Sequence, residues 1–525
     1  MKIKSCSELL KIAKEQSHIV IYGAGWAGKI IAGYLKMHGI ERICFGVTVQ
    51  KENDVAEVDG ISVREIRQLY IDNPKVYIIL GALAATQRNM ADYLEKNQIE
   101  KYDEITEAVI YEIRQKLLEY QARNVYYESK NEKKNKIGYL VPGYLDTNYA
   151  EQRLIIGKDS DTEYIAFSKE IAALPCVGTE YEDRIEDYKM LADAVYCPKE
   201  KVPEVDVIHT FNMVCQTEKD WMASFETMLP RLPCKTEWEK KYYVELAEAI
   251  LKGNCKGIFA LCKNAYDIHK TILEGRLPAE MAKKVLDKTF VLHPPQPILI
   301  SEEEFYKKHT ENKIHFVFLG STFFMKGGRE TIRALEYFEE KYDFKLTLIS
   351  TLQTNDYFTH AKGEEKDKWQ EIIRQKPWIE HYSGLPNKEA LERCKEATIG
   401  LFPSFGDTYG YVLLEMQACG CPVVSTNVRA FAETNNNECG WVCELPVNEH
   451  GICNSADLES LSNILVEKLV SVFEDIFAHP NQIVKKGEAA MERIRVMHDP
   501  ERYAEKIREI INNKGENNSY VKQNL

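Results

Sequence analysis

Residues 397–426, ATIGLFPSFGDTYGYVLLEMQACGCPVVST, confine the chain to parallel α/β architecture. The apolar run Ile399-Gly-Leu-Phe402 has the length of a buried strand and ends at Pro403-Ser404. A polar loop over 405–410 follows, then a helix from about Tyr411. Gly420 stops that helix, because glycine takes the left-handed turn past a helix end without steric cost. Pro422-Val-Val-Ser-Thr426 opens the next strand. In such a unit the helix N-terminus points at the place where the strand ends, a geometry that collects anions.

Two acids punctuate the unit, Asp407 in the loop and Glu415 eight positions on, within the apolar surroundings of Val412, Leu413, Leu414, Met416 and Cys419. Placed just before and within the helix, both can reach one ligand, and a carboxylate accepting from two vicinal hydroxyls suits a ribose or hexose. A turn aspartate and a solvated helix glutamate are the alternative.

The chain's 525 residues suggest three or four compact units. With 68 basic against 81 acidic residues and a net charge of −13, no basic stripe for a nucleic-acid partner is expected. MKIKSCSELLKIAKEQ at the start lacks a signal-peptide core, and no apolar run reaches the ~18 residues a spanning helix needs. Fourteen cysteines without framework spacing read as reduced thiols. The expectation is a cytoplasmic protein, with peripheral membrane contact as an option. Cys419, Cys421, Cys439 and Cys443 have spacing loosely compatible with zinc, but Cys421 opens a buried strand, where cysteine acts as a small apolar residue. No metal is expected.

Residues 1–115 read as a small doubly wound domain. A strand over 17–22 precedes Gly23-Ala-Gly25-Trp-Ala-Gly28 and a helix through Leu35, with further strands at 42–47 and 76–80 and a helix over 86–98. The G-x-G-x-x-G sits where its glycines (Gly23, Gly25, Gly28) serve a tight turn and close approach to a pyrophosphate. The acid that would hold a dinucleotide ribose is missing, since the second strand ends Val47-Thr48-Val49. The turn is thus a nucleotide site or a packing element, and the domain a cofactor binder or an interaction module. A largely helical connector with a charged end, 116–135, leads on; Lys133, Lys134 and Lys136 are its candidates for a membrane surface.

Residues 136–297 restart the alternating order with strands at 136–141, 163–168, 194–197, 205–209, 257–262 and 289–293, and a strand then loop over 221–231. His209 ends one strand, and Glu226 follows another. Glu226 suits a group that orients or deprotonates an acceptor hydroxyl, or else a capping or salt-bridged acid. His209 reads as a hydrogen-bonded wall residue. Pro294-Pro295-Gln-Pro297 marks a stiff hinge. In 298–490 the strand 315–320 runs into Lys326-Gly327-Gly328 and a helix near Arg329, with a later strand at 345–350, then the segment 379–386 and a helix at 387–394. The glycines beside Lys326 let backbone approach a ligand. A helical tail spans 488–513 within a last segment, 491–525.

PSFGDTYGYVLLEMQACGCPVVST resembles the donor signature of retaining GT-B glycosyltransferases of family 4, in which an acid-x7-acid pair follows Pro-Ser and a Gly-x-Pro-Val-Val follows the helix. The resemblance covers roughly 136–512. It implies two facing Rossmann-like lobes, here preceded by a third small Rossmann-like domain similar to those attached to bacterial sugar-modifying enzymes. It also implies a nucleotide-sugar donor, a glycan, lipid-linked or protein acceptor, retention of configuration, no required cofactor, and a part in bacterial-type cell-surface polysaccharide biosynthesis. Asp407 would contact the donor sugar, with Thr408, Tyr409 and Gly410 beside it. Glu415 would bind the ribose, Lys326 the diphosphate, and 379–386 the nucleobase. Glu226 stands where many members have His. The first acid is Asp where Glu is usual, Thr408 replaces a usual Gly, and Pro142-Gly143-Tyr144 lacks the Gly pair of the first-lobe loop. Ser321 replaces an Arg, for which Arg329 is a candidate substitute. These departures leave open a catalytically inactive GT-B protein that binds glycans or chaperones a partner transferase, and a nicotinamide-dependent N-terminal domain is a third option.

Overall fold

The computed structural model describes residues 2–49, 57–58, 60–124, 135–141, 153–155, 157–159, 161–168, 194–196, 204–310 and 313–512. The chain parts into two compact units, 1–152 with 160–173 and 203–205, and 153–159 with 174–202 and 206–525.

The first unit holds β1 (Lys2–Ile3), β2 (Ile19–Tyr22), β3 (Ile43–Val47), β4 (Glu57–Val58), β5 (Ile61–Glu65), β6 (Tyr77–Leu80) and β7 (Tyr102–Ile105), in the order β1-β7-β6-β2-β3-β5-β4. All pairs are parallel except β4–β5. Successive residues of β2 serve opposite faces, as the two-residue period of a strand requires. Ile19 and Ile21 pack in one core with Leu9, Ile30, Leu35 and Ile113. Val20 and Tyr22 pack in the other with Ile66, Leu69 and Leu94. The glycine turn lies at the carboxyl end of β2. There Gly23 has φ +114°, and a Cβ on Gly28 would stand 1.8 Å from the Gly23 carbonyl oxygen, so Gly28 serves the packing of helix Trp26–Met37 on the turn. Thr48, at the end of β3, bonds through Oγ1 to the Tyr22 hydroxyl at 2.7 Å. β8 (Asn135–Val141) and β9 (Thr162–Ser168) form a parallel pair in the same unit, and helix Glu107–Asn124 precedes them. Lys133, Lys134 and the loop 142–144 lie outside the described residues.

The second unit contains two parallel sheets. In its first lobe β11 (Val207–Phe211), β13 (Trp221–Phe225), β14 (Cys255–Ala260) and β15 (Thr289–Val291) run in the order β15-β14-β13-β11, beside a short pair, β10 (Val195–Tyr196) with β12 (Val214–Cys215). In the second lobe β16 (Ile314–Leu319), β17 (Phe344–Ile349), β18 (Ile379–Tyr382), β19 (Ile399–Phe402), β20 (Val423–Thr426) and β21 (Gly440–Cys443) take the order β18-β17-β16-β19-β20-β21. The chain moves outward from β16 in one direction and then from β19 in the other. Ligands of open α/β sheets bind at the carboxyl ends of the two strands flanking such a reversal. The expected tail helix is two helices, Gln482–Met497 and Pro500–Asn512, because Pro500 has no N–H to continue the first. Tyr503 of the last one donates to the Leu154 carbonyl at 2.7 Å. No helix among the described residues is long and apolar enough to cross a membrane.

Candidate active site

The loops that leave β16 and β19 are stitched together at the reversal point. Phe405 N–H donates to the Met325 carbonyl at 2.9 Å, and Ser404 Oγ donates to the same oxygen at 3.3 Å. Gly327 is left-handed, with φ +74°, and a Cβ there would come within 2.2 Å of the Pro403 carbonyl oxygen. The contact that joins the loops therefore requires glycine. It sets Lys326 against Asp407. The two side chains form an ion pair, 13% and 16% exposed, and Lys326 Nζ also donates to the Gly406 carbonyl at 3.2 Å. Asp407 Oδ1 accepts from the backbone N–H groups of Tyr409 (3.2 Å) and Gly410 (3.0 Å), at the start of helix Tyr411–Ala418. A cation, an acid and a helix N-terminus thus converge on one point, an arrangement that stabilises added negative charge.

The other expected residues divide. Thr408 is half-buried beside Asp407. Gly410 has φ +83° and packs on Phe431. Tyr409 turns inward, 1% exposed, with its hydroxyl 2.9 Å from His293 Nδ1. Its side chain joins the lobes. Glu415 is 2% exposed and faces Arg153, whose Nη1 lies 3.4 Å from Oε1. Arg329 is engaged by two acids, Glu330 at 2.7 Å and Glu365 at 3.7 Å.

In the first lobe, His209 is 1% exposed on β11, with Nε2 2.8 Å from Ser224 Oγ. Burial pulls its imidazole down to about 3, so it is a neutral wall residue. Glu226, half-buried just past β13, donates its N–H to Asn212 Oδ1 at 3.1 Å. Burial is the largest influence on its carboxyl and raises it, and Asp407 of the second lobe raises it further. Arg231, Asn212 and Arg429 oppose them.

Three residues carry weight beyond the expected site. Arg429 donates from Nη2 to Thr227 Oγ1 at 3.1 Å, across the lobes. Glu433 accepts from the N–H groups of Lys263 and Asn264. Arg153 is the third. Each acts on a partner more than 160 positions away, a relationship that no local pattern encodes. The cysteines considered for zinc are buried free thiols, and Cys421 donates to the Cys394 and Ala397 carbonyls at 3.3 and 3.2 Å. Among the described residues, no group of three or more His, Cys, Asp or Glu is arranged to hold a metal ion.

Residues 300–454 match the family model described as glycosyl transferases group 1. A D-inositol 3-phosphate glycosyltransferase of Pseudarthrobacter chlorophenolicus is 29% identical over 117 residues, 22% of this chain and 26% of that protein. An uncharacterized glycosyltransferase of Methanocaldococcus jannaschii is 28% identical over 142 residues, 27% of this chain and 34% of that one. The chain thus spans only about a quarter to a third of the length of these two relatives. Among solved structures, a Rickettsia africae glycosyltransferase has a TM-score of 0.48 at 17% identity, covering 73% of this chain and 99% of that one. The Lys326–Asp407 pair lies in the segment similar to group 1 glycosyl transferases, between lobes built on parallel α/β sheets.

Proposed function

We propose that this protein transfers a glycosyl group from a nucleotide sugar to an acceptor hydroxyl, in the retaining manner of family 4, within cell-surface glycan synthesis. The observation that carries this reading is the Lys326–Asp407 pair at the start of helix Tyr411–Ala418, at the point where the sheet reverses direction. In this reading the donor diphosphate takes Lys326 as its counter-charge and the helix N-terminus as its second partner. Both favour the leaving group as negative charge develops. Asp407 is released to a sugar hydroxyl, Glu415 receives the ribose, and Glu226 orients or deprotonates the acceptor.

A nucleotide-sugar panel, scored for nucleoside diphosphate release by wild type and Lys326→Ala, tests the proposal. Release by wild type that drops at least ~100-fold in the variant supports it. If no donor is turned over while one or more bind, the catalytically inactive reading takes its place. That reading is favoured by the Arg153–Glu415 pair, which occupies the acid assigned to the ribose. With a lysine and a helix N-terminus as counter-charges, turnover is expected to persist in excess chelator.

A further inference from the structure

Arg429 has left-handed backbone, φ +50°, at a position following β20. Arginine adopts that region only under constraint, and residues held in it cluster at functional sites. The constraint is visible. Arg429 N–H donates to the Gly451 carbonyl at 3.0 Å, and a Cβ on Gly451 would stand 2.6 Å from Arg429 N, so only a glycine lets the two backbones meet. Held this way, the side chain crosses to the first lobe, where Nη2 donates to Thr227 Oγ1 at 3.1 Å, next in the chain to Glu226. Its Nε is buried with no hydrogen-bond partner. The groups that face it electrostatically are Glu226, Asp407, Tyr357 and Cys262.

We propose that Arg429 is a positioning residue of the transfer site, a cation that holds Glu226 and Thr227 of one lobe over Asp407 of the other. This rests on the assignment of Glu226 and Asp407 to the transfer reaction. Burial and Asp407 raise the Glu226 carboxyl and Arg429 lowers it, so without Arg429 the half-buried Glu226 takes up a proton more readily. Arg429 works against the burial that raises the Glu226 carboxyl, and its bond to Thr227 fixes the segment that carries Glu226. The groups acting on Glu226 are Arg231 and Asn212 of its own lobe and Asp407 and Arg429 of the other.

The test is Arg429→Gly beside Arg429→Lys in the full chain. Glycine is at ease at φ +50°, so Arg429→Gly should melt at or above the wild-type temperature. Small-angle scattering should nevertheless show a larger radius of gyration, because one of the ties between the lobes is gone. With a donor that wild type turns over, kcat should fall at least tenfold, donor KM should change less than threefold, and the acidic limb of the pH profile should move to higher pH. Arg429→Lys should restore part of kcat. A lower melting temperature for Arg429→Gly, or an unchanged radius, would show an ordinary packing residue and overturn the proposal, as would wild-type turnover in that variant. If wild type turns over no donor, it is the transferase reading that fails, and the melting and scattering results still decide whether Arg429 is a strained tie between lobes.

Discussion

Glu433 of the second lobe caps a helix of the first. Its carboxylate accepts from Lys263 N–H at 2.8 Å and from Asn264 N–H at 2.6 Å, the first two residues of helix Lys263–Arg276. The next N–H, on Ala265, goes to Cys262 Sγ at 3.3 Å. A helix N-terminus leaves these donors without intrahelical partners and favours negative charge beside them. A capping acid that would ordinarily be local in sequence is here supplied by the opposite lobe, so one side chain contributes both to helix stability and to the contact between the lobes.

Glu433→Ala should therefore cost about 1–2 kcal/mol in thermal or denaturant unfolding and open the lobes in solution scattering. The acid also has a signature in pH. Burial is the largest influence on Glu433 and raises its carboxyl despite the two N–H bonds. The folded state then holds the proton more tightly than the unfolded one, so stability falls as pH rises from the ordinary carboxylate value through the raised one. Glu433→Gln should remove that slope. Melting curves of the two proteins between about pH 4 and 7 check it, and parallel curves would remove Glu433 as the source.

Lys326→Ala tests the centre of the site. Stranding a buried charge commonly costs about 3–5 kcal/mol, but Asp407 keeps the Tyr409 and Gly410 N–H groups when the lysine is gone. The expected loss of stability is below that range, while turnover drops at least ~100-fold. Chemical denaturation and diphosphate release on the same preparation separate the two effects.

Gly327→Ala should be far more damaging than its size suggests. It places a Cβ 2.2 Å from the Pro403 carbonyl oxygen in left-handed backbone, pushing apart the loops that carry Lys326 and Asp407. A destabilisation on the order of 2–5 kcal/mol is expected, with loss of donor binding. Gly25→Ala is the control. Nothing stands within 4 Å of a Cβ at Gly25, so stability should stay within about 0.5 kcal/mol.

The contrast between those two glycines shows what the sequence can and cannot disclose. Both belong to glycine-rich turns after a strand, and pattern alone offers each as a place where backbone approaches a ligand. In space Gly28 serves helix packing, whereas Gly327 welds together two loops 80 residues apart. In the second lobe β16, β17 and β19 were legible because each is a short, largely apolar run followed by Gly320, Ser350 or Pro403. Their order, which locates the site, was not, since parallel neighbours are set by crossovers and not by adjacency. Tyr409 was read beside the sugar because it lies in the loop, but an aromatic in a polar loop carries no mark of which way it turns. Arg429 and Arg153 left no trace at all. One depends on a backbone angle and both on partners in remote segments. The tail did leave one: Pro500 announces the break that the long helical reading passed over.

Arg153 supplies the last test, because it occupies the acid to which the ribose is assigned. Its Nη1 stands 3.4 Å from Glu415 Oε1, a loose pair beside an acid that is 2% exposed, and its guanidinium lies 5.4 Å from the centre of the Tyr411 ring. A donor ribose would need the same carboxylate oxygens for its vicinal hydroxyls. Arg153 and the donor therefore compete, and the apparent affinity is reduced by the fraction of molecules in which the arginine holds the acid. Arg153→Ala should lower the melting temperature of the ligand-free protein, because Glu415 loses its counter-charge, and yet tighten donor binding several-fold in calorimetry. Glu415→Gln should do the reverse to binding, weakening it about 10–100-fold, the value of one or two hydrogen bonds to a charged acceptor. Weaker binding in both variants would mean that Arg153 orients the carboxylate for the ribose, and unchanged binding in Glu415→Gln would remove this acid from the donor site altogether.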